Sequence, residues 1–487
     1  MNPAGVTKLS LKLKKLRLTL ILTILFLANV SFALTFNQAN SPYYIDSNIV
    51  FDAEETIIFE EGTIFIISPE INITIKGPAI FNGTSSKPIE FLPLTAEIGW
   101  GSIILGNSES DDIINYNLNN MNIIDGRIET NNASVQASNL HFINSQNLNW
   151  NDVLLYIKEG NASITNCQFN GTNKGEGVQF LRSSRIDINN CTFDSIPDAI
   201  ELISVFAGEI SHNTILNSKD DAIDLNNSEN IIISYNYIHN IEDRGMEIGS
   251  ENNGSSINIL IHNNIISSCN EGVIFKEESS GKLINNTFYN NYTALVSQDL
   301  AGNEGSSVEV FNTIFSNSIN NDIRTDQYSD MYIDYSLSDN DFLAGNSNLF
   351  EEPEFVDEYN ENFELTPISP CIDKGNPILI QDKDCSRSDI GALYFHQNEN
   401  TCQLGYLRII PSLFASSTSI VYELEESNNV KINIYDMNGS IVDIFLDERQ
   451  EKGLKNITWI APYSNTMYVL ELNINNTVYR KKAICVK

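Results

Sequence analysis

From residue 139 to residue 323 one short phrase recurs: an apolar strand, a small polar step, then an apolar residue. The strands SNLHF, TNCQF, NNCTF, HNTI, YNYI, HNNI, NNTF and FNTI end on Phe142, Phe169, Phe193, Ile215, Ile238, Ile265, Phe288 and Ile314, spaced by 27, 24, 22, 23, 27, 23 and 26 residues. A second apolar series, Val178, Ile200, Ile223, Met246, Val273, Leu295 and Ile323, keeps step with the first. Two ladders that drift together describe a stack of equivalent coils. Each coil is rich in β-branched residues, is broken by Asn, Gly, Ser and Asp, and carries no amphipathic helix period. The period is too long for a single hairpin and too short for a four-stranded propeller blade. Ile and Phe hold the ladder positions where a leucine-rich repeat needs leucine. The spacing therefore predicts an all-β fold, a parallel β-helix with two or three short strands per turn.

Two residues before the first ladder lie Leu140, Cys167, Cys191, Asn213, Asn236, Asn263, Asn286 and Asn312. Stacked side-chain amides at a bend can hydrogen-bond one another and the turn backbone, so this series reads as structural. Cys167 and Cys191 read as stacked buried thiols, and Cys371, Cys385 and Cys402 as the better disulfide candidates.

The net charge of −34 gives phosphate nothing to bind and excludes nucleic acid as a partner. Residues 1–33 read as a secretory signal. Lys8, Lys12, Lys14, Lys15 and Arg17 precede an apolar core from Leu18 to Ala28, and Ser31-Phe32-Ala33 places the cleavage site after Ala33. That core is shorter than the roughly 20 residues a spanning helix needs, and no later stretch is apolar enough to span, so no transmembrane segment is expected in the mature chain.

The phrases DDAIDL (220–225), DRGMEIG (243–249), EGVIFKEES (271–279) and INNTFYNN (284–291) resemble the right-handed parallel β-helix of the pectate-lyase-like superfamily, and more closely a β-helix domain of secreted bacterial surface proteins. FNGTSSKPIEFLPL (81–94) and GWGSIIL (99–105) resemble its opening coils, and SPCIDKGNP (369–377) with DKDCSRSDIGALYF (382–395) its closing turns. From about Gly405 longer alternating strands replace the coils: SIVYELEE, VKINIYDMNG, SIVDIFLD, KNITWIA, MYVLELNI and TVYRKKAICVK. They predict a small antiparallel β-sandwich. This end resembles the type A sorting domain of type IX secretion in Bacteroidetes-like bacteria, through Tyr422-Glu423-Leu424, VKINIYDMNG (430–439), Gly453 leading to Trp459, Tyr468-Val469-Leu470 and the basic Lys481-Lys482. The family's opening Asn-Pro-Phe phrase is replaced by IIPSLF (409–414), and NTM stands before Tyr468 where Ser-Gly is usual. The resemblance implies the type IX machinery as a partner, translocation across the outer membrane, and release or attachment at the cell surface. The expected organisation is signal 1–33, β-helix 34–398, linker 399–404 and sorting sandwich 405–487.

Beside the second ladder stand Gln179, Glu201, Asp224, Glu247 and Ile274, with Asp198, Asp220, Asp221, Asp243 and Glu271 just ahead of the strands. Neighbouring coils lie about 4.8 Å apart, so Glu201, Asp224 and Glu247 should stack as carboxylates that need a cation or a shared proton. Glu201, Asp221, Asp224 and Glu247 are therefore the calcium candidates, set against the plainer reading of a solvated acidic face on a chain of net charge −34, with DDAIDL as turn chemistry. Resemblance to lyases and pectin hydrolases on this fold implies two chemistries: calcium on a uronate with Arg244, Lys219 or Lys276 as base, or a pair of aspartates as acid and base across a water. No long loop interrupts the coils near the cluster, which speaks against a deep substrate cleft, and Asp220-Asp221 alone is too little to transfer catalytic roles. The expectation is an exported surface protein, structural or binding polysaccharide without catalysis. The alternative is a secreted polysaccharide lyase or glycoside hydrolase acting on acidic glycans.

Overall fold

The computed structural model describes residues 33–95, 98–107, 112–144, 149, 152–249, 254–299, 305–345, 347–377, 379, 382–384, 386–397, 407–410, 413–414, 417–424, 427–436, 439–463, 466–474 and 477–485. Nearly all of the signal segment, the linker 399–404, Cys385 and Cys402 lie outside them. The chain divides into two compact units, one of residues up to 376 with 388–395, the other of 377–387 with 396–487.

The first unit is a right-handed parallel β-helix with three strands per coil. One ladder runs through Glu176–Leu181, Ile200–Ile203 and Ile223–Asn226, pairing Val178 with Ile200 and Ile200 with Ile223. It continues through Met246, Val273, Leu295 and Ile323 as the second apolar series predicted. A second ladder runs through Ile186–Asn189, Gly208–Ser211 and Ile231–Ser234, and a third through Gln168–Asn170, Thr192–Asp194 and Thr214–Leu216. Inward residues alternate with outward ones, and the core is one continuous column of Ile, Leu, Val and Phe. Phe142, Phe169 and Phe193 stack face to face with centroids 5.0 and 4.6 Å apart, each ring burying about 1.5–3 kcal/mol of apolar surface.

The third ladder corrects two positions. Ile238 pairs with Ile266, not Ile265, and Phe288 pairs with Phe315, not Ile314. The bend series shifts with it: the inward residues are Leu140, Cys167, Cys191, Asn213, Asn236, Asn264, Asn286 and Thr313, linked by bonds such as Asn213 N to Asn236 Oδ1 at 2.9 Å and Asn236 N to Asn264 Oδ1 at 2.9 Å. The residue just ahead of each is left-handed, and Asn263 (φ 55) and Asn312 (φ 52) occupy that place. Their side chains point out and bond the exit segment, Asn263 Nδ2 to Ala392 O at 3.1 Å and Asn312 Nδ2 to Ser388 Oγ at 3.3 Å. Ile314 joins a separate apolar cluster with Leu337, Phe355, Phe363, Leu365, Cys371 and Ile390, against which Tyr237, Ile265 and Tyr289 pack. The exit hairpin Phe355–Asp357 and Asn362–Leu365 thus runs back over the outside of the third ladder, and apolar residues face outward there because chain covers them.

Cys167 and Cys191 are buried free thiols, each accepting a backbone N–H from the preceding coil at 3.4 Å, and Cys371 is also a buried free thiol. In the second unit a sheet of Arg408–Ile410, Ser417–Leu424 and Gly453–Ile460 and a five-stranded sheet ending on Thr477–Cys485 share one core. Trp459 of the first meets Tyr468 of the second edge to face at 4.9 Å. Pairing is antiparallel except where Leu413 and Phe414 run beside Ile484 and Cys485. No helix among the described residues is long and apolar enough to cross a membrane.

Candidate functional site

The acidic column forms on the ladder of Val178, Ile200, Ile223 and Met246, as its spacing predicts. Gln179 pairs with Glu201, Glu201 with Asp224, Asp224 with Glu247, and Glu247 with Ile274. The column is more enclosed than an outward position implies. Glu247 is only 7% exposed, and the next two members, Ile274 and Val296, are 1% and 0% exposed. One end of the carboxylate stack therefore abuts a covered apolar step instead of open solvent.

Of the four sequence-chosen calcium candidates, Asp221, Asp224 and Glu247 come together, with ligand oxygens within 4.8 Å of one another. Asp221 also forms a second such group with Asp198 and Asp220, two residues outside the chosen set. Glu201 stands apart from both groups and accepts a hydrogen bond from Gln179. Asp198 is held by the turn itself, its Oδ1 accepting Asp221 N at 3.3 Å, and Asp221 Oδ1 in turn accepts Arg244 N at 3.1 Å.

The cations are already engaged. Arg244 lies 3.4 Å from Asp221, 3.0 Å from Asp243, 2.6 Å from Glu247 and 3.5 Å from Glu271. Lys276 Nζ is 2.7 Å from Glu247, with both side chains buried, and Arg324 pairs with Glu271. Lys219 is exposed. Asp224 receives none of this: its Oδ2 accepts Asn226 Nδ2 at 2.7 Å, while its Oδ1 and Asn226 Oδ1 are buried with no hydrogen-bond partner. Two buried acceptors without a donor fit a hard cation, which binds through oxygen. They fit a proton on Asp224 as well.

Protonation shifts follow the crowding. Burial, then the charges of Glu247 and Glu201, hold the Asp224 carboxyl well above its ordinary range, and burial with Glu247 does the same to Asp221. Burial pushes Asp198 up to about 7 and Glu176 up to about 8, with neighbouring carboxylates adding to both. Glu176 carries no repeat signal in the sequence; it is recruited because the Glu176–Leu181 strand starts beside Glu201. Arg244, surrounded by anions, is held firmly charged.

A family model described as a right handed beta helix region matches residues 126–270 and 208–342. Among curated proteins, Pectate lyase 1 of Pectobacterium atrosepticum is 29% identical over 134 residues, 23% of this chain and 36% of that protein. Pectate lyase 2 of Pectobacterium carotovorum is 30% identical over 134 residues with the same coverage. The chain spans about a third of the length of the curated relatives it matches (36%). Among solved structures, a hyperthermoactive exopolygalacturonase of Thermotoga maritima has 10% identity and a TM-score of 0.34, covering 60% of this chain and 84% of that one. The first unit is a right-handed parallel β-helix with pectate-lyase-like relatives and a column of carboxylates along one ladder.

Proposed function

We propose that this is an exported bacterial surface protein whose β-helix binds polysaccharide without turning it over, with calcium held on the acidic column and the C-terminal sandwich serving as the type IX secretion address. One observation carries the non-catalytic reading. A lyase needs a free base beside its cation, and two of the three basic side chains the sequence offers are consumed: Arg244 faces four carboxylates and Lys276 is buried against Glu247. What remains is a surplus of buried carboxylate, and the orphaned oxygens of Asp224 and Asn226 support a cation there. Such an ion would present its open positions to carboxylate or hydroxyl groups of a glycan. The alternating strands of residues 417–485 and the basic Lys481-Lys482 support the sorting role.

The full chain should take up calcium with a rise in melting temperature, and Asp224→Asn should abolish that rise. Incubation with uronate polymers should release no unsaturated products absorbing in the near ultraviolet; calcium-dependent release would assign the lyase chemistry and overturn the non-catalytic reading. A second reading has its own observation: Asp198 and Glu176, at about 7 and about 8, hold protons near neutral pH beside Asp220 and Asp221, as an acid and base pair of a glycoside hydrolase would. New reducing ends from an acidic glycan, lost in Asp221→Asn, would establish it.

A further inference from the structure

Away from the acidic column, on the outside of the third ladder, the exit hairpin leaves an open cleft of about 270 Å³. Ligand clefts run from roughly 300 to 1,000 Å³, so this one suits a single small unit and not a long chain. Its floor comes from three successive coils. His239, Ser267 and Tyr289 stack in register, and beside them the left-handed turn residues Ser268 (φ 56), Asn290 (φ 53) and Asn317 (φ 54) present polar side chains at the coil spacing. Its roof is the short 3-10 turn Glu358–Asn360 and the residues after it, with Glu358, Tyr359, Glu361 and Phe363 facing the cleft.

The roof is fastened. Phe355 and Phe363 are buried in the cluster beneath it and hold the Tyr289 ring, at centroid distances of 6.4 and 5.1 Å. Glu361, itself left-handed at φ 62, accepts the Tyr237 hydroxyl and lies 3.0 Å from His239 Nε2. Tyr359 contributes nothing to that anchoring: its side chain is 88% exposed at the mouth of the cleft, where a large aromatic serves no packing purpose.

We infer that this cleft is a binding site for one neutral sugar unit. Tyr359 supplies a flat apolar face for the C–H side of a pyranose ring, and the amides of Asn290 and Asn317 with the Glu358 carboxylate supply donors and acceptors for its hydroxyls. The charge sets the class. Among the lining residues the one basic side chain, His239, lies against Glu361 at 3.0 Å, and Glu358 adds a second acidic side chain on a protein of net charge −34, so the cleft offers a uronate or a phosphate no free cation. The inference does not rest on the reading of the acidic column, which lies on a different ladder.

The full-length protein is titrated calorimetrically with cellopentaose, laminaripentaose, mannopentaose, xylopentaose and, as the charged control, pentagalacturonate. At least one neutral pentaose should bind with a sub-millimolar Kd. Tyr359→Ala and Asn317→Ala should each weaken that binding by about tenfold, the loss of one good contact, while Lys282→Ala, a surface change on another ladder, leaves it unchanged. Tyr359 is exposed, so its replacement leaves folding intact. Absence of binding by every neutral pentaose, or binding that survives both cleft substitutions, overturns the inference. Binding that is lost when calcium is chelated transfers the site to the acidic column and overturns it equally.

Discussion

Replacing Asn264 by Ala tests the bend ladder at its centre. Asn264 is 0% exposed and its amide makes five hydrogen bonds. Nδ2 donates to Ile233 O at 2.9 Å, His262 O at 3.1 Å and Asn286 Oδ1 at 3.0 Å, and Oδ1 accepts Asn236 N at 2.9 Å and Asn236 Nδ2 at 3.0 Å. Asn286 Oδ1 keeps the Asn264 backbone N–H at 3.0 Å, and Asn236 Nδ2 keeps Ile210 O at 2.9 Å. One backbone group is left bare, the Asn236 N–H, since the Ile233 carbonyl keeps its place in the ladder opposite Ile261. A buried orphan costs about 1–3 kcal/mol, so the loss is set at about 2 kcal/mol. Asn263, one residue earlier, sits in the left-handed region with its side chain outside the coil. Glycine adopts that conformation freely, so Asn263→Gly should change stability by less than about 1 kcal/mol. Asn264→Cys should fall between the two. Cys191 fills the equivalent place upstream, accepting Cys167 N while donating to Asn189 O at 3.4 Å, so a thiol restores the acceptor but not the second donor. Urea unfolding of the full chain, followed by far-ultraviolet circular dichroism, orders the three variants. An Asn263→Gly midpoint as low as that of Asn264→Ala would refute both the register and the hydrogen-bond reasoning.

The acidic column predicts the pH dependence of the β-helix. Unfolded Asp and Glu release protons near pH 4, whereas Asp198 and Glu176 hold theirs to about 7 and about 8 in the folded state. The native state therefore carries more protons between those limits, and stability should fall as pH rises from about 4 to about 8. Glu176→Gln should flatten the fall, and thermal melts across that range measure it. Removing the shared cation by Arg244→Ala should destabilise by about 3–5 kcal/mol at pH 8, since Asp221 and Glu247 lose their partner, and by less at pH 5, where protons substitute; equal losses at both pH values would show that packing, not charge, is at stake. Deleting residues 405–487 should hold the protein in the periplasm of a type IX host, and its appearance in the medium would remove the sorting assignment.

Much of this was legible because a coil fold writes its register into the chain. The second apolar series was read without error from Val178 to Ile323, since those residues point into the continuous apolar column of the coils. The first series slipped by one at Ile265 and Ile314 for a local reason: HNNI offers two adjacent asparagines, FNTIF two apolar neighbours, and a one-residue slip turns a strand inside out. Alternation could not decide, because Ile265 and Ile314 face outward yet are covered by the hairpin at 355–365. The same long-range return builds the cleft beneath Tyr359, which no local pattern announces.

By itself the sequence determined the coil stack, the apolar ladder from Val178 to Ile323 and the vertical order of Glu201, Asp224 and Glu247, because all of these are set by residues one coil apart and repeat at the coil period. Tertiary structure alone decided which carboxylates converge. Asp198 joins Asp220 and Asp221, Glu201 stands outside both oxygen groups beside Glu176, and Arg244 satisfies four anions at once while Asp224 Oδ1 meets none. Periodicity places Cα atoms along the stack, whereas burial and the reach of long side chains between coils set charge pairing, and those depend on distances no spacing encodes.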